Sequence, residues 1–345
     1  MMLVSKLTTA LALALCVTGE VQALKVPPNK PPAAGAKIPT EWALRRQQIN
    51  EWTVGLAGGL LEGAPIRLAT EISRVVNDGN DLHVLPIVTR GPTENLNDLL
   101  YLRGVDMAII SSDSLDEYKA QVPDIQNRIT YILNLFPSEL HVFVRPEIKS
   151  LRDLVGKKVN FNTQGTAAAY TGPLLFSRLG LDVNKTFIPH PVAMEQMKRP
   201  DSDMAAVVFI TSKPIDLFLK GKWEPGFKFL PVPYDVRLED YYLPAKIEPT
   251  DYPNLVAPDE QPIDTIAALT ILVAYNWEPN SDRYRRVSRF VENLFGRFNG
   301  LHAAGFDAKW KDVNLYGSVP GLARFPAAQR WLDSHAPKAG VGVRQ

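Results

Sequence analysis

Two cation-bearing turns define the chemistry open to this chain. Arg90 stands in Thr89-Arg90-Gly91, and Lys213 follows Thr211 and Ser212. A guanidinium can give a carboxylate two parallel charge-assisted hydrogen bonds, and an ammonium opposite it would complete a clamp on a small acid. Ser111, Ser112, Asn162, Thr163, Gln164 and Thr166 add neutral donors and acceptors of the kind that orient a polar ligand. The glycine-bearing turns Gly58-Gly59-Leu60, Gly91 and Gly165-Thr166 are candidate helix starts. There, unpaired backbone N–H groups meet the positive end of a helix dipole and favour an anion. Tyr170 and Phe209 are candidate apolar walls. Plainer roles stay open for each: Arg90 pairing with Glu94 four residues on, hydroxyls capping helices, glycines serving turn geometry, and Phe209 packing in a core.

Other chemistries find little support. The histidines at 83, 141, 190, 302 and 335 are scattered, without metal-ligand spacing, and no nucleophile elbow or phosphate loop occurs. Glu239-Asp240 and Asp259-Glu260 read as surface charge in loop-rich stretches. The expectation is therefore a binding protein with no cofactor and no metal, not an enzyme. Thirty-eight basic against 37 acidic residues leave a net charge of +1, so nucleic acid is not the expected partner.

The elements that must position these turns follow one local plan: an apolar strand, a small polar or glycine loop, then a helix. Residues 52–56 lead to Gly58-Gly59 and a helix ending at Val76; 82–88 lead to 89–93 and a helix through Leu102; 105–110 lead to 111–113. The plan restarts after a candidate crossover at 140–145: residues 157–161 lead to 162–166 and a helix to Leu179, and 204–210 lead to 211–214. A further apolar run, 265–274, follows a proline-rich loop at 244–262 and returns the chain to its first half. Such alternation predicts α/β architecture, open and mostly parallel sheets, with ligands at the carboxyl ends of the strands. At ~100–200 residues per domain the chain is long enough for two lobes, expected at 52–143 plus 264–335 and at 144–263, with a ligand cleft between them. Helices are also expected at 281–297 and near 326–334.

Residues 1–23 read as a secretory leader: Lys6, an apolar stretch at 7–17 too short to span a bilayer, and a small-residue end at Val21-Gln22-Ala23. Residues 24–40, rich in lysine, proline and alanine, read as a flexible tether. The lone cysteine, Cys16, falls in the leader, so the exported chain is expected to carry no disulfide, and Leu15 argues against lipid attachment there.

Three segments resemble the TAXI family, the substrate-binding subunits of tripartite ATP-independent periplasmic (TRAP) transporters, within the type II periplasmic binding-protein fold. They are residues 89–96 with 104–113; 140–145 with 150–160 and Gly165-Thr166; and 242–253. The resemblance runs from about 52 to 334. It implies two α/β lobes joined by a hinge and closing like a Venus flytrap over a glutamate-like or dicarboxylate solute. The implied protein is periplasmic and delivers that organic acid or amino acid to membrane permease subunits. Where the family carries aromatics after its first strand, this chain has Leu60-Leu61-Glu62-Gly63, which admits other solutes. Docking of the loaded protein on a receptor or sensor kinase is the alternative role.

Overall fold

The structure, a computed structural model, describes residues 40–336 except 62, 78–81, 120, 240 and 241, together with their side chains except those of 116 and 237. The expected leader with Cys16, and the expected tether up to residue 39, lie outside the described residues.

In chain order the elements are α1 (Thr40–Glu51), β1 (Thr53–Gly59), α2 (Ala64–Val76), β2 (His83–Val88), α3 (Pro92–Tyr101), β3 (Met107–Ser111), α4 (Ser114–Lys119), α5 (Ile125–Arg128) and β4 (Ile129–Val144). There follow β5 (Lys158–Asn160), α6 (Ala167–Arg178), β6 (Asn184–Thr186), α7 (His190–Lys198), β7 (Met204–Thr211), α8 (Asp216–Lys220), β8 (Lys228–Leu230), β9 (Tyr242–Ile247) and β10 (Ile263–Tyr275). α9 (Asp282–Gly296), two 3₁₀ turns (Phe298–His302, Ala308–Asp312) and α10 (Pro326–His335) complete the described chain.

The strands form one sheet in the order β2-β1-β3-β10-β4-β7-β5-β6, with β9 paired to β10 and β8 to β4. β1 is parallel to β2 and β3, and β10 runs antiparallel to β3. The second half repeats the plan: β5 is parallel to β6 and β7, and β4 runs antiparallel to β7. Helices on both faces seal each half. In the first, Val54, Leu56, Leu68 and Ile72 pack with Phe290, Leu294 and Trp310 on one side, and Ala57, Leu96, Leu99 and Ile271 pack on the other. In the second, Val142, Phe161, Leu175 and Ile266 form one core and Phe143, Phe209, Phe218 and Tyr252 the other. The fold is thus α/β with two lobes, each with a three-stranded parallel group flanked by antiparallel strands.

Two long strands belong to both lobes. β4 contributes Leu135 and Phe136 to a first-lobe core, then Leu140 and Val142 to a second-lobe core. β10 contributes Ala268 to the second and Leu269 to the first. The changeover lies where Ala268 pairs with Ser138 and Leu269 with Pro137, beside a register shift at Thr270/Ile271. The sequence-drawn division at 143/144 and 263/264 puts the joints near strand ends, whereas the cores change inside the strands.

One element departs from expectation. Residues 242–247 form β9, which pairs only with β10, although 244–247 were expected to begin a proline-rich loop. Proline is tolerated on such an edge because its missing N–H can face away from the ladder.

Candidate functional site

Gly58 and Gly59, expected in a loop, are the last residues of β1. The reason for Gly58 is close approach: a Cβ there would sit 2.8 Å from the Ile66 Cα of α2. Leu60 follows in the turn, where its carbonyl accepts from the Gly63 amide at 2.8 Å. The Thr89 amide donates to the Gly59 carbonyl at 3.0 Å, and Gly91, at φ 135° and ψ −162°, opens α3. Asn95, fully buried in α3, ties these strand ends together. Its amide donates to the carbonyls of Gly58 (2.7 Å) and Ile109 (2.6 Å), and the Thr89 hydroxyl donates to its oxygen. The sequence signal was a polar residue on the same helical stripe as Leu99, and it was missed.

On the second lobe β5 is followed by a compact turn in which Asn162 (φ 62°) and Gly165 (φ 88°) adopt left-handed conformations. The Thr166 hydroxyl caps α6, accepting from the Ala169 amide at 3.3 Å and donating to the Thr163 carbonyl at 2.8 Å. Asn162, Thr163 and Tyr170 are half-buried.

These two faces meet. A Cβ on Gly91 would lie 2.7 Å from the Gly165 carbonyl oxygen and 3.1 Å from the Thr166 Cα, and one on Gly165 would lie 3.1 Å from the Arg90 Cβ. The strand-end turns of the two lobes are therefore in backbone contact. Beside them the Asp113 carboxylate of the first lobe is fully buried. It accepts from the Ser111 hydroxyl (2.5 Å), from the Thr171 hydroxyl of α6 and from the Tyr242 hydroxyl of β9 (3.1 Å). Burial raises its pKa, opposed by those three donors. Ser112 holds the changeover in β10: its hydroxyl accepts from the Leu269 amide at 3.1 Å, and its amide donates to the Leu269 carbonyl at 2.9 Å.

Arg90 and Lys213 do not face each other across this contact. The Arg90 side chain is 70% exposed and reaches Glu94 at 3.3 Å, the short-range partner that the four-residue spacing offers. Thr211 ends β7 opposite Glu139. Lys213 is held by Asp251 at 2.7 Å and by the Lys246 carbonyl at 2.5 Å, while its amide donates to the Glu139 carboxylate at 3.1 Å. Lys213 lines an open groove of ≈ 350 Å³ between the lobes, with Ser212 and Asp251 on its own side and Arg67, Asp307, Lys309 and Lys311 on the other. Arg67 pairs with Asp307 at 2.5 Å. Burial raises the pKa of Glu139 behind the groove, and the charge of Lys309 is the main opposing influence. Arg67 and Lys309 escaped sequence reading because their helix and 3₁₀ turn are distant in the chain from 211–213. A second depression of ≈ 400 Å³, by Tyr234, Pro244 and Asp264, involves none of the candidate ligand residues read from the sequence. Among the described residues no cluster of three or more His, Cys, Asp or Glu is placed to hold a metal.

No family model matches the chain, and no curated protein matches it. Among solved structures, the periplasmic VFT2 domain of Bordetella pertussis BvgS is similar at 14% identity and TM-score 0.41, over 84% of this chain and 97% of that one. The arginine-bound ArgBP of T. maritima is similar at 14% identity and TM-score 0.40, over 74% and 98%. The methionine-binding protein MetQ is similar at 15% identity and TM-score 0.37, over 72% and 95%.

Proposed function

We propose that this chain is a solute-binding protein that closes its two lobes over a small carboxylate or amino-acid-like molecule. In this reading it works in the periplasm, delivers the solute to the permease subunits of a TRAP-type transporter, and performs no chemistry on it. The observation that supports the reading is the convergence of strand-end turns from both lobes onto one seam, 91 against 165–166, together with an interlobe groove lined by Arg67, Lys213, Lys309 and Lys311 and by Asp251, Asp307 and Asp312. A cleft at the carboxyl ends of α/β strands is where such folds gather ligands. Within the groove, Lys309 is the group for a carboxylate, while the Arg67–Asp307 and Lys213–Asp251 ion pairs would share their charges with a zwitterionic solute. The turns read from the sequence meet at Gly91, Gly165 and Thr166, with Thr89 and Ser111 behind them in the first lobe.

Isothermal calorimetry on refolded, ligand-stripped protein against organic acids, amino acids and neutral solutes tests this. Saturable binding of an acid or amino acid, weakened by Lys309→Ala, is expected. Binding of neutral solutes alone refutes the ligand class, and turnover of a bound compound refutes the non-enzymatic role. Uptake by vesicles carrying a TRAP permease, dependent on added protein, tests delivery.

A further inference from the structure

Asp113 is a first-lobe residue whose carboxylate is satisfied largely by the second lobe. It follows β3, and its same-lobe side-chain partner is Ser111; the other two donors, Thr171 and Tyr242, sit on α6 and β9. No ion pair to Asp113 exists among the described residues. A buried carboxyl without a cation depends on every hydrogen bond it has. Separating the lobes would remove two of its three hydroxyl donors together and admit water in their place. Satisfaction of this acid is therefore tied to closure.

We propose that Asp113, with Thr171 and Tyr242, is an interlobe latch that biases the protein toward the closed arrangement independently of any solute. The geometry differs from ordinary packing at the seam. Gly91 and Gly165 meet backbone to backbone, a contact that permits closure but has little to hold it, whereas the carboxylate joins two second-lobe elements through directional bonds. α6 carries both Thr171 and the Thr166–Gly165 turn, so the latch and the seam move as one body. A protein biased in this way loses less free energy on closing around a guest, because the closed population is already raised. As a statement about capture this rests on the function proposed above; as a statement about closure it does not.

The test measures closure with no solute added. Spin labels on cysteines introduced at exposed Asn97 and Lys185, in a Cys16→Ser background, report the interlobe distance by pulsed electron resonance. Each hydrogen bond shifts an equilibrium by about 2- to 10-fold, so Thr171→Val with Tyr242→Phe should lower the closed-to-open ratio by about 4- to 100-fold. Circular dichroism establishes that the double variant is folded. If it does not fold, Tyr242→Phe alone, which keeps its ring in the core, is expected to show the smaller 2- to 10-fold shift. A folded variant with the parent distance distribution overturns the latch. Because no ligand enters this experiment, that result leaves the calorimetric test of solute binding intact, and failure to bind any solute leaves the latch intact.

Discussion

Replacing Gly91 with alanine should wedge the seam open. The residue sits at φ 135° and ψ −162°, a region that only glycine adopts readily, so alanine should strain the first lobe by about 1–3 kcal/mol whatever the second lobe does. A second penalty applies only when the lobes are together. The new Cβ would stand 2.7 Å from the Gly165 carbonyl oxygen, where ordinary contact begins at 3.4 Å, so the lobes must part by several tenths of an ångström. Overpacking of this kind costs about 1–3 kcal/mol, which lowers the closed-to-open ratio by about 5- to 150-fold. Gly104→Ala separates the two penalties. Gly104 lies in the same lobe at φ 97°, but a Cβ there meets nothing within 4 Å. Both variants should lose stability in urea, and only Gly91→Ala should enlarge the radius of gyration in solution scattering and lengthen the interlobe spin-label distance. Equal distance distributions in the two variants would refute the reasoning that the 91–165 contact limits closure.

Asn95→Ala should destabilise the protein by about 3 kcal/mol in urea unfolding, since it strands the buried carbonyls of Gly58 and Ile109; a loss under about 1 kcal/mol would mean that water replaces the amide. Burial lowers the pKa of His141 and of His190 to about 3, below the ordinary value near 6.5. Each therefore binds a proton only on unfolding, and its contribution is complete above about pH 6.5 and falls by about 1.4 kcal/mol per pH unit toward pH 3. Comparing wild type with His190→Gln isolates one histidine, because Asp113 and Glu139, whose pKa values burial raises, change stability in the opposite sense. An unchanged pH slope in that variant would sink the assignment. Lys213→Met should cost about 2 kcal/mol, because it leaves the largely buried Asp251 without its cation; a neutral result in thermal unfolding would show that the backbone amide of Glu248 suffices.

The repeated strand, loop and helix plan was legible because β1, β3 and β7 are short apolar runs ending at glycine, serine and threonine, and turns follow β2 and β5 within the 89–93 and 162–166 segments where that plan put them. β9 was hidden by Pro244, whose presence argues against a central strand and is silent about an edge one. Asp113 stood in plain view after Ser111 and Ser112, yet its role depends on Thr171, 58 residues on, and Tyr242, 129 residues on. No local pattern encodes that meeting. Arg90 shows the converse: the i,i+4 partner that sequence spacing offers is the one it takes. The C-terminal 3₁₀ turns were equally opaque, for Trp310 enters the first-lobe core with its indole N–H on Glu71, 239 residues away.

Because β4 and β10 are hydrogen-bonded to each other straight through the point where the cores change, the joint between the lobes is a bending ribbon and not a pair of slack loops. A ribbon of two paired strands flexes easily across its flat face and resists shear in its own plane. Opening about such a ribbon would be confined to a narrow arc, and each return stroke would bring the same turns back into register without a search. Lengthening β4 by one residue at 137–139, or β10 at 267–269, would tilt that arc and spoil the register, even with every side chain at the seam left untouched.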